Sequence, residues 1–131
     1  MTETELCKLA IKAMDNAYAP YSGYRVGAAL LTKSGKVYLG CNVENASFTP
    51  TVCAERTAFL KAVSEGEKDF SMIAVAGGKD GKITGAFPPC GVCRQVMAEF
   101  CEADFEILIV NGQDSFEKHC LSQLLPLAFK L

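Results

Sequence analysis

The sequence predicts a single α/β domain, residues 1–131, in which helices flank a mixed five-stranded sheet. Three observations carry that expectation. Half of the 131 residues are apolar and 21% are charged, enough for one hydrophobic core. Short apolar runs with strand character recur along the chain, and helical stripes or capped helical segments separate them. The resulting order is a leading helix followed by ββαβαββ, which gives a sheet with helices on its faces.

Each element follows from its own residues. Glu5 to Tyr18 places Leu6, Leu9, Ala10, Ala13, Met14 and Ala17 on one helical face, and Pro20 ends the run. Val26 to Leu31 and Val37 to Cys41 are strand-like and joined by Thr32-Lys33-Ser34-Gly35-Lys36, which makes a hairpin. A second helix is expected from about Thr51 to Ser64, with Gly66 as its stop. Ser71 to Ala76 reads as a buried strand, and Gly77 to Gly85 as turns. Pro88 and Pro89 lead into a third helix from about Gly91 to Phe100. Phe105 to Val110 and Ser115 to His119 are the last two strands. Only Asn111-Gly112-Gln113-Asp114 lies between them, too little for a parallel crossover, so they are expected to pair antiparallel.

Composition narrows the function. Net charge is −2, from 13 basic and 15 acidic residues, and the lysines are scattered singly. A nucleic-acid binder concentrates positive charge for phosphates, so a small uncharged ligand fits better. The N-terminal segment lacks the basic-then-apolar pattern of an export signal, and no apolar stretch reaches the ~20 residues of a membrane span. Seven cysteines without an export signal read as free or metal-bound thiols in a reducing cytoplasm. Cys7, Cys41, Cys101 and Cys120 read as core residues. So do Phe59, Phe70, Phe87, Phe100 and Phe105. The single histidine, His119, has no partner pattern and reads as a surface or edge residue, which leaves little for a Ser-His-Asp or Cys-His system.

The chemistry concentrates in Cys53-Ala54-Glu55 and Pro89-Cys90-Gly91-Val92-Cys93. Thiolates suit zinc, and helix starts favour the thiolate form. Three protein ligands are one short of a closed structural zinc site and leave a position for water, which marks hydrolytic sites. Glu55, two residues from Cys53, places a carboxylate near the metal as a proton carrier. Three thiolates leave zinc with net negative charge, and a guanidinium on the sulfurs would offset it; Arg56 is assigned that role, with Arg94 as a second candidate. Two rivals use the same cysteines: a non-enzymatic zinc module, which leaves Glu55 without purpose, and a thiol redox pair at Cys90 and Cys93.

These residues resemble the small cytidine deaminases with three cysteine ligands, and the resemblance covers nearly the whole chain. It rests on Pro20-Tyr21-Ser22, Val26-Gly27-Ala28-Ala29-Leu30, Asn42-Val43-Glu44-Asn45-Ala46, Cys53 to Ala58, Pro89 to Gln95, and Leu124-Leu125-Pro126 with Phe129. The resemblance implies a cytidine-deaminase-like fold and one zinc ion per chain held by Cys53, Cys90 and Cys93. It further implies a free nucleoside substrate and a homotetramer in which neighbouring subunits complete each site. Glu55 would shuttle protons, the Ala54 N–H would bind the pyrimidine O2, and Asn42 and Glu44, side by side on one strand face, would hold the ribose. Tyr24 stands where the family usually packs a phenylalanine against the base, and Phe129 where an aromatic reaches into a neighbouring site. Phe48 replaces a common tyrosine, and Pro88 a common serine. A blasticidin-type drug deaminase shares the three-cysteine chemistry, but Asn42, Glu44 and the Cys-Ala-Glu-Arg-Thr-Ala run favour cytidine.

Overall fold

A computed structural model describes all residues from Met1 to Leu131. Helix α1 spans Glu3–Ala13 and strands β1 and β2 span Tyr24–Thr32 and Val37–Cys41; α2 (Ala54–Ser64) and β3 (Phe70–Lys79) follow. Then come α3 (Gly91–Phe100), β4 (Glu106–Gly112), β5 (Ser115–Cys120) and a short α4 (Leu121–Leu124). The strands form one sheet in the order β2-β1-β3-β4-β5. Only β3 and β4 run parallel, with α3 in the connection between them; the other neighbours, the β4–β5 pair included, are antiparallel.

Strand alternation sorts the core into two layers. Ala28, Leu30, Ile73, Val75, Ile107 and Ile109 face α2 and α3. Ala29, Leu31, Ala74, Ala76, Leu108 and Val110 face Leu6 and Ala10 of α1 and Met14 just beyond its end. The sheet is therefore covered on both sides, which explains why its central strands read as continuous apolar runs. Phe59 of α2 is fully buried, with its ring centroid 5.0 Å from Phe70 and 6.1 Å from Phe105. Truncating a residue so placed costs about 3–5 kcal/mol, so it is a strong anchor for the helix that carries Glu55.

Two glycines bring the helices onto the sheet. A Cβ on Gly27 would lie 2.2 Å from the Ala10 carbonyl oxygen in α1, and one on Gly40 would lie 2.5 Å from both the Ala54 oxygen and the Ala58 nitrogen in α2. Backbone meets backbone at both points. Thr57 adds a tie, its hydroxyl donating to the Cys41 carbonyl at 3.0 Å.

Several boundaries differ from the sequence reading. The first helix begins at Glu3, capped by the Thr2 hydroxyl, which accepts from the Glu5 N–H at 3.1 Å. It ends at Ala13 and tightens into a 3-10 turn over Met14–Asn16, well before Pro20; Met14 and Ala17 stay buried, so the apolar stripe outlasts the α-helix. The second helix starts at Ala54, not Thr51, because Val52 is still bridged to Val43. Asn42 and Glu44 are not on a strand. β2 stops at Cys41, and beyond it only Val43 makes isolated bridges, to Tyr18 and Val52.

Candidate active site

The site is assembled from two helix N-termini. Cys53 is the N-cap of α2 and Cys90 the N-cap of α3, both in extended backbone, and Cys93 lies in the first turn of α3. Neither cap residue makes a side-chain capping bond, so both sulfurs are free to point elsewhere. They converge with Cys93. Cys53 Sγ and Cys90 Sγ are 3.8 Å apart, Cys90 Sγ and Cys93 Sγ 3.5 Å, and all three lie within 4.8 Å of one another. Tetrahedral zinc at Zn–S of ~2.3 Å requires sulfurs ~3.8 Å apart, so the donor set fits that ion. This is the chain's one cluster of three or more potential metal ligands, and no fourth histidine, cysteine or carboxylate belongs to it.

Electrostatics within the cluster favour thiolate at Cys53. Hydrogen bonding from the Cys93 thiol, assisted by Arg56 and Cys90, outweighs burial and pushes Cys53 down to about 5, while Cys93 is pushed up as the donor. Arg56 Nη2 lies 3.5 Å from Cys53 Sγ and 3.4 Å from the Thr51 carbonyl oxygen. Its Nε is buried without a partner. Arg94 does something else. Its Nε donates to the Pro89 carbonyl at 2.7 Å and Nη1 to the Leu124 carbonyl at 2.6 Å, which ties the chain after β5 to the loop before α3.

Glu55 is 4% exposed, on the first turn of α2. Burial, reinforced by the neighbouring Cys53 charge, raises its carboxyl to about 7. A carboxyl held there can both take and give a proton near neutrality. It opens onto a cavity of about 250 Å³ whose lining includes Val26, Asn42, Glu44, Cys53, Ala54 and Phe87.

Asn42 and Glu44 both reach this cavity, although not from a shared strand face. Asn42 brackets β1, accepting from the Val26 N–H and donating to the Tyr24 carbonyl, each at 2.8 Å. Glu44 accepts from the N–H groups of Tyr21 at 2.9 Å and Ser22 at 3.1 Å and from the Ser22 hydroxyl. The Ser22 hydrogen bond is the main cause of a lowered Glu44 carboxyl pKa, so the group is ionised. Tyr24 is 43% exposed and stands beside the cavity, its ring 5.6 Å from that of Phe87. Phe129 is 66% exposed and does not line its own chain's cavity; its carbonyl accepts from Gln95 Nε2 at 2.9 Å.

Comparison with known proteins follows the same residues. The family model for the cytidine and deoxycytidylate deaminase zinc-binding region matches residues 1–108. The chain belongs to the cytidine deaminase family. A cytidine deaminase from Halalkalibacterium halodurans is 50% identical over 129 residues, covering 98% of this chain and 95% of that protein. The crystal structure of cytidine deaminase from Burkholderia pseudomallei superposes with a TM-score of 0.90 at 45% identity, covering 98% of this chain and 100% of that one. The Mycobacterium tuberculosis cytidine deaminase structure gives 0.82 at 35% identity, with both chains covered completely.

This deaminase is a zinc enzyme with one three-cysteine cluster per chain. A closed structural zinc module is not favoured, nor is a drug deaminase. Val26, Thr51, Val52, Phe87 and Pro88 also line the cavity, and the sequence reading assigns none of them a site role. The sequence places Phe87 in the core, yet it is only half-buried and lines the cavity with Pro88. The other four phenylalanines do pack in or against the core. Cys7 and Cys101 are buried as expected, but Cys41 and Cys120 are only partly so.

Proposed function

We propose that this deaminase hydrolyses the 4-amino group of free cytidine and deoxycytidine, giving uridine or deoxyuridine and ammonia. The observation that carries the reading is the buried Glu55 carboxyl beside three convergent cysteine sulfurs, at a cavity sized for a small molecule. Cys53, Cys90 and Cys93 would hold the zinc ion, which would supply Lewis-acid activation of the attacking water. Glu55 would take one proton from that water and pass it to ring N3 as the oxygen adds to C4, then carry the water's second proton to the amine as the C4–N bond breaks and ammonia leaves. The N–H of Ala54, the first residue of α2, has no acceptor within the helix and donates to the pyrimidine O2. Arg56 draws negative charge off the sulfurs, which keeps the three-thiolate ion acidic enough to serve.

Asn42 and the ionised Glu44 receive the ribose, chiefly its 3′-hydroxyl. Their contacts to β1 and to Tyr21 and Ser22 set their positions before substrate arrives. Tyr24 packs against the base, and Phe129 completes the site of a neighbouring subunit. Its exposure, together with that of Phe48 at 76% and Leu127, supports a homotetramer. No helix is long and apolar enough to cross a membrane. A role in pyrimidine salvage in the cytoplasm accords with a nucleoside substrate and with seven cysteines of which none is in a disulfide.

The test is ultraviolet absorbance with cytidine, deoxycytidine, cytosine and CMP in parallel. Loss of the cytosine chromophore with the two nucleosides alone is expected. Turnover of free cytosine or of CMP in preference to them would overturn the substrate assignment.

A further inference from the structure

Phe87 is the one large side chain of the cavity to which the reaction assigns no task, and its placement is unusually fixed. Gly77 of β3 lies beneath it. A Cβ at Gly77 would stand 3.0 Å from Phe87 Cγ, 3.2 Å from Phe87 Cδ1 and 3.1 Å from Val26 Cγ2. The ring therefore rests in a slot that exists because residue 77 has no side chain. Behind it, a Cβ at Gly78 would fall 1.5 Å from the Lys82 carbonyl oxygen, so the turn preceding Phe87 is seated directly on β3. Ahead of it come Pro88 and Pro89, whose φ angles are fixed by their rings. On its free side, Phe87 leans on Tyr24 at 5.6 Å with the rings tilted by 49°. A ring held on all these sides is a rigid wall.

Which part of the substrate meets that wall follows from the proposed function, on which this inference rests. The Ala54 N–H takes O2 and Glu55 addresses N3, so the C2–N3 edge of the pyrimidine lies against the start of α2. C5 is across the six-membered ring from C2, and C6 across from N3. The C5–C6 edge therefore faces away from Ala54 and Glu55; with Asn42 and Glu44 assigned to the ribose and Thr51 to Glu55 leading into α2, the lining side chains left to meet it are Val26, Phe87 and Pro88, beside the ligand Cys90. We infer that Phe87 is a specificity-determining residue that limits the size of the substituent accepted at C5 of the cytosine ring. The side chains of Val26, Phe87 and Pro88 are apolar, so this part of the wall discriminates by volume.

Hydrophobic pockets discriminate by roughly 10–200-fold per methyl or methylene group. Phe87→Ala is expected to raise the kcat/KM ratio of 5-methylcytidine to cytidine by on the order of tenfold, and the ratio for 5-bromocytidine similarly. Phe87→Leu, which keeps apolar bulk, should fall between. Gly77→Ala should act in the opposite direction, because the new Cβ pushes the ring into the cavity. Using the ratio within each variant cancels the electronic effect of the substituent and any uniform loss of active enzyme. Ratios equal to the parent's in all three folded variants would overturn the inference, even if every absolute rate fell. Cytidine turnover by the unaltered chain reads the parent proposal separately. If the chain turns over cytidine and the ratios do not move, Phe87 is packing only; if it does not turn over cytidine, both proposals fall.

Discussion

Gly40→Ala tests the link between packing and chemistry. Gly40 faces the first turn of α2, and a Cβ there would lie 2.5 Å from the Ala54 oxygen and the Ala58 nitrogen and 3.0 Å from the Ala58 Cα, where ordinary contact begins at 3.4 Å. These atoms are backbone, so no side chain can swing aside. The helix must retreat by about 1 Å, and overpacking of this kind costs about 1–3 kcal/mol. For a domain of this size that lowers Tm by roughly 3–12 °C. The same retreat carries Cys53, Ala54 and Glu55 away from Cys90 and Cys93 on α3. A 1 Å misplacement of catalytic groups can cost about 100-fold, so kcat should fall by about 10- to 100-fold well below the melting temperature. Gly27→Ala is the control. Its Cβ would meet α1 on the other face of the sheet, at 2.2 Å from the Ala10 oxygen. It should lose comparable stability while kcat stays within about threefold, since α1 contributes nothing to the site. Calorimetry and steady-state kinetics on both variants decide the matter. A Gly40→Ala protein with parental Tm and kcat would refute the claim that this contact seats the catalytic helix.

The two arginines should separate cleanly. Arg56→Ala removes the donor 3.5 Å from Cys53 Sγ and should weaken zinc retention against a chelator by about 10- to 100-fold, with a matching drop in turnover. Unchanged retention and rate would remove Arg56 from the metal's surroundings. Arg94→Ala strips the donors from the Pro89 and Leu124 carbonyls and should lower unfolding free energy by about 2–4 kcal/mol in urea. An unchanged urea midpoint would contradict that structural role.

The sheet was legible in the sequence because both of its faces are buried, which makes Val26 to Leu31, Met72 to Ala76 and Ile107 to Val110 read as runs without a polar side chain. The metal cluster was legible because it is local: Cys90 and Cys93 belong to one motif, and Cys53 and Glu55 to another. What escaped depends on tertiary contacts. Asn42 and Glu44 look like alternate residues of a strand, but β2 ends at Cys41 and their positions come from bonds to β1 and to Ser22. Phe87 looks like any core aromatic until Gly77, ten residues earlier, is seen to hold its ring at the cavity. The end of α1 was misplaced because a 3-10 turn preserves enough of the apolar stripe to hide the change of geometry. Arg94 follows a metal ligand in sequence, yet its partners lie at Pro89 and Leu124, and spacing alone does not show that.

The central claim is that Glu55 moves protons beside the zinc cluster without holding the metal. Glu55→Gln keeps the shape and removes the titrating group, so the decisive measurement is zinc per chain together with cytidine turnover in that variant. Zinc should remain as in the parent, at one per three-cysteine cluster, while kcat falls by about 10²- to 10⁴-fold or more. Near-parental turnover with zinc in place would contradict the account.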